Sequence, residues 1–134
     1  MIKLKDILFE GMNRKDIQSV IDKVYPQVVK NLGRARRGTP KVEMHTNIYV
    51  RLSGDAEAQG EANPDAEYEW DKNEIYLYLP KMKNEEAVIK ALLHEYTHAT
   101  QDPKKMEEYR KLGYAKNPYE KAATKAEGNW KKYM

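Results

Sequence analysis

The sequence predicts an α+β domain in which a small, twisted, mostly antiparallel sheet packs on a helix. Three observations predict it. Apolar residues recur at helical spacing up to Gly33 and again after Asn84, whereas runs with strand spacing fall between Lys41 and Leu79. Four Asn or Asp residues stand where helix N-caps are wanted. With 134 residues the chain is long enough for one core, and it has no internal repeat, so residues 1–134 read as a single domain.

The elements follow in order. Asn13 caps a helix from about Arg14 to Leu32, with Ile17, Val20, Ile21, Val24, Val28 and Leu32 on one face and Gly33 at its end. Pro26 lies inside that pattern and is expected to kink or split it. Lys41 to Leu52 reads as a strand through Val42, Met44, Ile48 and Val50. Ser53 to Ala66 is small and acidic with no apolar period, which predicts a mobile loop. Ala66–Trp70, a polar turn at 71–73, and Glu74–Leu79 form a hairpin that Pro80 terminates. Asn84, with Glu85 and Glu86 in the first turn, opens a helix running to about Gln101. Asp102-Pro103 opens a short helix that ends at Gly113, and Asn117-Pro118 a last one reaching about Lys132.

Composition narrows the function. The absence of cysteine excludes a disulfide framework and thiolate metal sites. A net charge of +3 is too small to argue for nucleic acid as the main partner. The first ten residues contain no apolar core of a signal peptide, and no stretch has the length of a membrane span. The expected address is therefore soluble and cytoplasmic. Ten tyrosines against one phenylalanine predict aromatic bodies buried with their hydroxyls on polar partners.

One pentapeptide carries the chemistry: His94-Glu95-Tyr96-Thr97-His98, an H-E-x-x-H run on the Asn84–Gln101 helix. Residues four apart share a helix face, so both imidazoles can reach one metal ion. Ala87 and Ala91 lie on the same stripe and leave a groove beside them. Glu95 falls in the apolar sector, where an unpaired carboxylate is costly unless it addresses a metal and its water. Without cysteine, zinc with His and carboxylate ligands is the expected cofactor. A catalytic zinc needs a third protein ligand. His45 lies on the Lys41–Leu52 strand and reads as structural. Glu120, in the first turn of the last helix, is the candidate. Glu127 is a rival two turns further along, and Glu120 could instead serve as the capping-box partner of Asn117.

H-E-x-x-H followed by a glutamate on a later helix resembles the gluzincin metallopeptidases, over about Glu74 to Trp130. The resemblance implies a zincin-like fold, with His94, His98 and Glu120 as zinc ligands and Glu95 as general base for hydrolysing peptide bonds. It also implies that a peptide or protein substrate pairs along residues 75–79 as an edge strand. The sequence departs from the family pattern at Thr124, where relatives carry an aspartate that orients a zinc-bound histidine. Thr124 itself or Asp102 would have to serve. With no later histidine to steady the oxyanion, Tyr114 or Tyr119 is the candidate phenolic donor, packing being the alternative role for each. The opening segment, Lys3 to Leu8, is similar to the starts of many tailed-phage proteins, implying a host cytoplasm or virion. Three other readings stand beside the enzyme: a non-catalytic zinc protein such as a virion component, a nucleic-acid module built on the basic loop Arg34–Lys41, and a latent enzyme whose segment 130–134 covers the groove.

Overall fold

A strand followed, many residues later, by a parallel partner needs a long connection, and this chain provides one. The computed structural model describes residues 12–46 and 65–134. Its strands are β1 (Lys41–His45), β2 (Ala66–Glu69) and β3 (Glu74–Tyr78), in the order β1-β3-β2. β3 pairs antiparallel with β2, Ala66 opposite Leu77, and parallel with β1, Lys41 opposite Glu74. The sheet is thus mixed rather than mostly antiparallel. The β2–β3 hairpin is tight, while residues 46–73 supply the dozen or more residues that a parallel pair requires. The expected strand residues Ile48, Val50 and Leu52, the acidic loop over 53–64 and the opening segment lie outside the described residues.

The larger correction concerns β3. Expected as an edge strand for substrate, it is the central strand, hydrogen-bonded on both sides. Ile75, Tyr76, Leu77 and Tyr78 are all buried, which suits a strand without a free edge. It ends at Tyr78, and Leu79–Lys81 form a 3-10 turn around Pro80. In the hairpin turn Asn73 takes φ of 53°, a conformation that Asn tolerates better than most residues. Its amide donates to the carbonyls of Arg37 and Gly38 and accepts from the Tyr68 hydroxyl, tying the turn to the preceding loop.

Helix α1 (Arg14–Leu32) begins where Asn13 Oδ1 accepts the Asp16 N–H at 2.8 Å, and its five buried aliphatics are among the predicted ones, while Leu32, the last of that face, is only half-buried. The chain stays helical through Pro26. Pro26 and Asp22 both face solvent, so the carbonyl that Pro26 leaves without an amide partner is open to water. Helix α2 (Glu85–Thr100) is capped by Asn84 and is the hub of the fold, packing on α1, on β2 and β3, and on the last helix. Val88, Ile89, Leu92, Leu93, Tyr96 and Ala99 are almost wholly buried. Short helix α3 (Pro103–Arg110) is capped by Asp102. Helix α4 (Pro118–Glu127) is capped by Asn117 and stops at Gly128, earlier than expected. The chain then turns into a 3-10 helix, Trp130–Tyr133, that returns to the core. Buried and half-buried tyrosines do place their hydroxyls on polar partners: the half-buried Tyr25 on the Pro40 carbonyl, and the buried Tyr78 on Glu67 and Tyr96 on the Gly33 carbonyl. Among the described residues no helix is long and apolar enough to cross a membrane.

Candidate metal centre

The α2–α4 contact decides what His94 and His98 meet. On α2 the two rings stack edge to face with centroids 4.9 Å apart, as one helical turn dictates. Helix α4 approaches them through Ala123, which is fully buried and small enough for a close crossing, and through Ala126, while Ala122 faces solvent. This brings the buried Glu120 carboxylate to both imidazoles: Oε1 is 2.6 Å from His98 Nε2 and Oε2 is 3.6 Å from His94 Nε2. Glu120 therefore does not close a capping box. Asn117 Oδ1 alone accepts the N–H groups of Tyr119 and Glu120.

The opposite nitrogens are also occupied. His94 Nδ1–H donates to Glu127 Oε2 at 2.7 Å. His98 Nδ1–H donates to Gln101 Oε1 at 2.7 Å, and the Gln101 amide donates in turn to the Tyr119 carbonyl at 3.1 Å. Each histidine is held by its Nδ1 with Nε2 turned toward Glu120, the tautomer that a metal bound at Nε2 requires. Glu127, the rival ligand in the sequence, meets His94 at Nδ1, on the side of the ring away from Glu120. Thr124 and Asp102 do not orient either ring: Thr124 is exposed and lines a neighbouring cleft beside Glu120, and Asp102 caps α3 through the Lys104 N–H. Gln101 was missed, although its position three residues after His98 on the same helical face was a usable signal.

The donor set fits a metal ion. Two imidazole nitrogens and a carboxylate oxygen lie within 4.8 Å of one another, and among the described residues His94, His98 and Glu120 are the one group so placed. Electrostatics lead the same way. Burial opposes charging of His94, but Glu95, Glu120 and Glu127 outweigh it and push the imidazole up to about 11. His98 is also raised, Glu120 and Glu95 overcoming its burial. For Glu120, burial raises the pKa while the two histidines hold the carboxyl down to about 2. Exchanging two imidazolium protons for one divalent cation leaves the net charge of the pocket unchanged.

Glu95 is only 7% exposed, and burial pushes its pKa up against the pull of both histidines. With His94 it lines a cleft of about 140 Å³ whose walls include Asp65, Ala66, Ala91 and Tyr114. Ala87 lines it too, as the groove reading anticipated. Tyr114, on a 3-10 turn after Gly113, reaches this cleft as well as a second one of about 400 Å³ that Glu120 borders. Tyr119 lines neither. Its hydroxyl accepts the Asp102 N–H and its ring packs edge-on against Tyr109. His45 stays in the sheet, its ring 4.6 Å from that of Tyr76.

Two other expectations meet different surroundings. In the basic loop, Arg36 donates to the Thr100 carbonyl, and Arg37 donates to the carbonyls of Trp70 and Asp71 while lying over the Trp70 ring. These arginines staple the loop to the hairpin and to the end of α2. Segment 130–134 lines neither cleft; Tyr133 is buried and accepts a hydrogen bond from Asn31 on α1. No protein family, curated protein or solved structure matches this chain.

Proposed function

We propose that this protein is a zinc-dependent peptidase of the gluzincin type, holding the metal with His94, His98 and Glu120. The observation that carries the reading is the convergence of three ligand atoms beside a buried, otherwise costly glutamate at the floor of a cleft. Zinc bound there would polarise the scissile carbonyl and acidify water. Glu95 takes the proton from the attacking water and returns it to the leaving amine, a role suited to a carboxyl whose pKa burial has raised. Tyr114, at the mouth of both clefts, donates a hydrogen bond to the carbonyl oxygen as charge develops on it. Glu127 and Gln101 keep the imidazoles aimed. Tyr119 acts on the site only through its backbone carbonyl.

Because β3 is central, it offers an extended substrate no edge. The start of β2, which packs on α2, instead walls the cleft: Ala66, with Asp65 before it, lines it beside Glu95.

Glu95→Gln is the test. Zinc should remain bound one to one by native mass spectrometry, while casein hydrolysis falls by about 10²–10⁴-fold. Hydrolysis at the parental rate would remove Glu95 from the mechanism. A parental protein that binds zinc and cleaves nothing would leave the non-catalytic zinc protein as the better description.

A further inference from the structure

The second cleft is bordered by Tyr114, Ala115, Glu120, Lys121, Thr124 and Lys125, and at about 400 Å³ it is roomier than the catalytic one. It opens directly beside the proposed ligand Glu120 and shares Tyr114 with the first cleft, so a chain lying across the metal centre would run from one into the other. The two clefts differ in charge. The first is walled by Asp65, Glu95 and Glu127 against Lys90, and Lys90 is already paired with Glu86 at 2.7 Å. The second has Lys121 and Lys125 on successive turns of α4, where its one carboxylate, Glu120, is held by the histidines. Apolar surface is at hand as well: Leu112 and Tyr114, two of the exposed large hydrophobic side chains, flank Gly113 at the turn leading into this cleft.

Resting on the peptidase reading, we infer that the Lys121–Lys125 cleft is a substrate subsite that takes an apolar side chain together with an adjacent carboxylate, and so selects acidic peptides. The walls from Tyr114, Ala115 and Thr124 receive the apolar part. The two ammonium groups meet the carboxylate, which comes either from an Asp or Glu side chain or from the end of the peptide chain. Charges at such a rim act mainly on encounter and discrimination, and their effect weakens with salt.

The experiment uses the zinc-loaded full chain and fluorescein-labelled octapeptides that differ only in a central Leu-Glu, Leu-Gln or Leu-Lys pair, all amidated, plus a Leu-Gln peptide with a free C-terminal carboxylate. Binding to the Glu95→Gln protein is read by fluorescence polarisation, and cleavage by the parental protein by chromatography. The Leu-Glu peptide is expected to bind about tenfold tighter than Leu-Lys at low salt, two exposed charge pairs being worth roughly that much. The Lys121→Glu/Lys125→Glu double variant should reverse the order, and Thr124→Trp should weaken all peptides by filling the cleft. Tight binding of the free-carboxylate peptide alone would assign the cleft to chain ends. Equal binding of all four peptides, or an order unchanged in the double variant, overturns the subsite. Selective binding without cleavage by the parental protein would keep the subsite and overturn the peptidase.

Discussion

Helix α2 has two flanks, and they are built on opposite principles. Toward α1 it presents Val88, Leu92 and Tyr96 to Ile17, Val24 and Val28, all fully buried, in a contact made almost wholly of carbon. Toward α4 it sets the half-buried His94 and the buried Glu95 and His98 against Glu120. Burying apolar surface stabilises by about 25 cal/mol per Å², whereas buried charges roughly break even at best. The first flank is what folding asks for. The second is difficult to justify by folding alone, which is what makes it the candidate site.

That contrast can be broken from either end. The largest effects should separate the flanks cleanly. Leu92→Ala, on the apolar side, should cost about 2–5 kcal/mol in urea unfolding, with zinc still bound one to one at low temperature. Glu120→Ala should abolish zinc occupancy in native mass spectrometry while the metal-free protein remains folded by circular dichroism. If Glu120→Ala instead retains zinc and Glu127→Ala loses it, the ligand assignment is reversed.

Truncation after Gly128 comes next. It removes Tyr133, whose ring is buried and whose hydroxyl meets Asn31, so a loss of about 3–5 kcal/mol is expected, by analogy with deleting a buried aromatic. A truncated protein as stable as the parent and more active would restore the latent-enzyme reading. Smaller effects should come from the groups that hold the rings. Glu127→Ala is expected to weaken zinc about 10–100-fold in a chelator competition, and Gln101→Ala by less, since a neutral amide polarises its imidazole less than a carboxylate does.

The subtlest prediction concerns pH. The raised His94 pKa contributes stability that is fully present below the ordinary value of 6.5 and fades as pH rises toward about 11. The depressed Glu120 pKa contributes stability present above 4.5 and lost as pH falls toward about 2. Metal-free protein should therefore melt highest between these limits, near pH 5–6. Zinc must displace the imidazole protons, so its affinity should climb with pH, and calorimetry in buffers of different ionisation heat should record proton release. A zinc affinity indifferent to pH between 6 and 8 would contradict the raised histidine values.

Much of this architecture was legible because the signals are local. Asn13, Asn84, Asp102 and Asn117 each cap a helix within three residues of themselves, and spacing alone puts His94 and His98 on one turn. What could not be read depends on contacts between distant elements. Nothing within Glu74–Tyr78 says that β1 will pair on its other side, because strand order is settled by where a long connection returns. Glu127 was visible as a carboxylate two turns beyond Glu120, but whether it meets an Nδ1 or an Nε2 depends on how far α4 slides along α2. Tyr119 was open between a phenolic donor and a packing role for a similar reason: only the approach of α4 puts its backbone carbonyl on Gln101 and its ring against Tyr109.

One consequence follows from the provenance of the histidines' partners. Glu120 and Glu127 both belong to α4, and Gln101 is steadied by a carbonyl from that helix's first turn. A single clasp would thus complete the proposed coordination sphere as well as align both rings, so such a centre should assemble or come apart in one step. Metal content becomes a gauge of whether that clasp is shut, and a chelator should loosen the C-terminal quarter of the chain well before it disturbs the packing between α1 and α2.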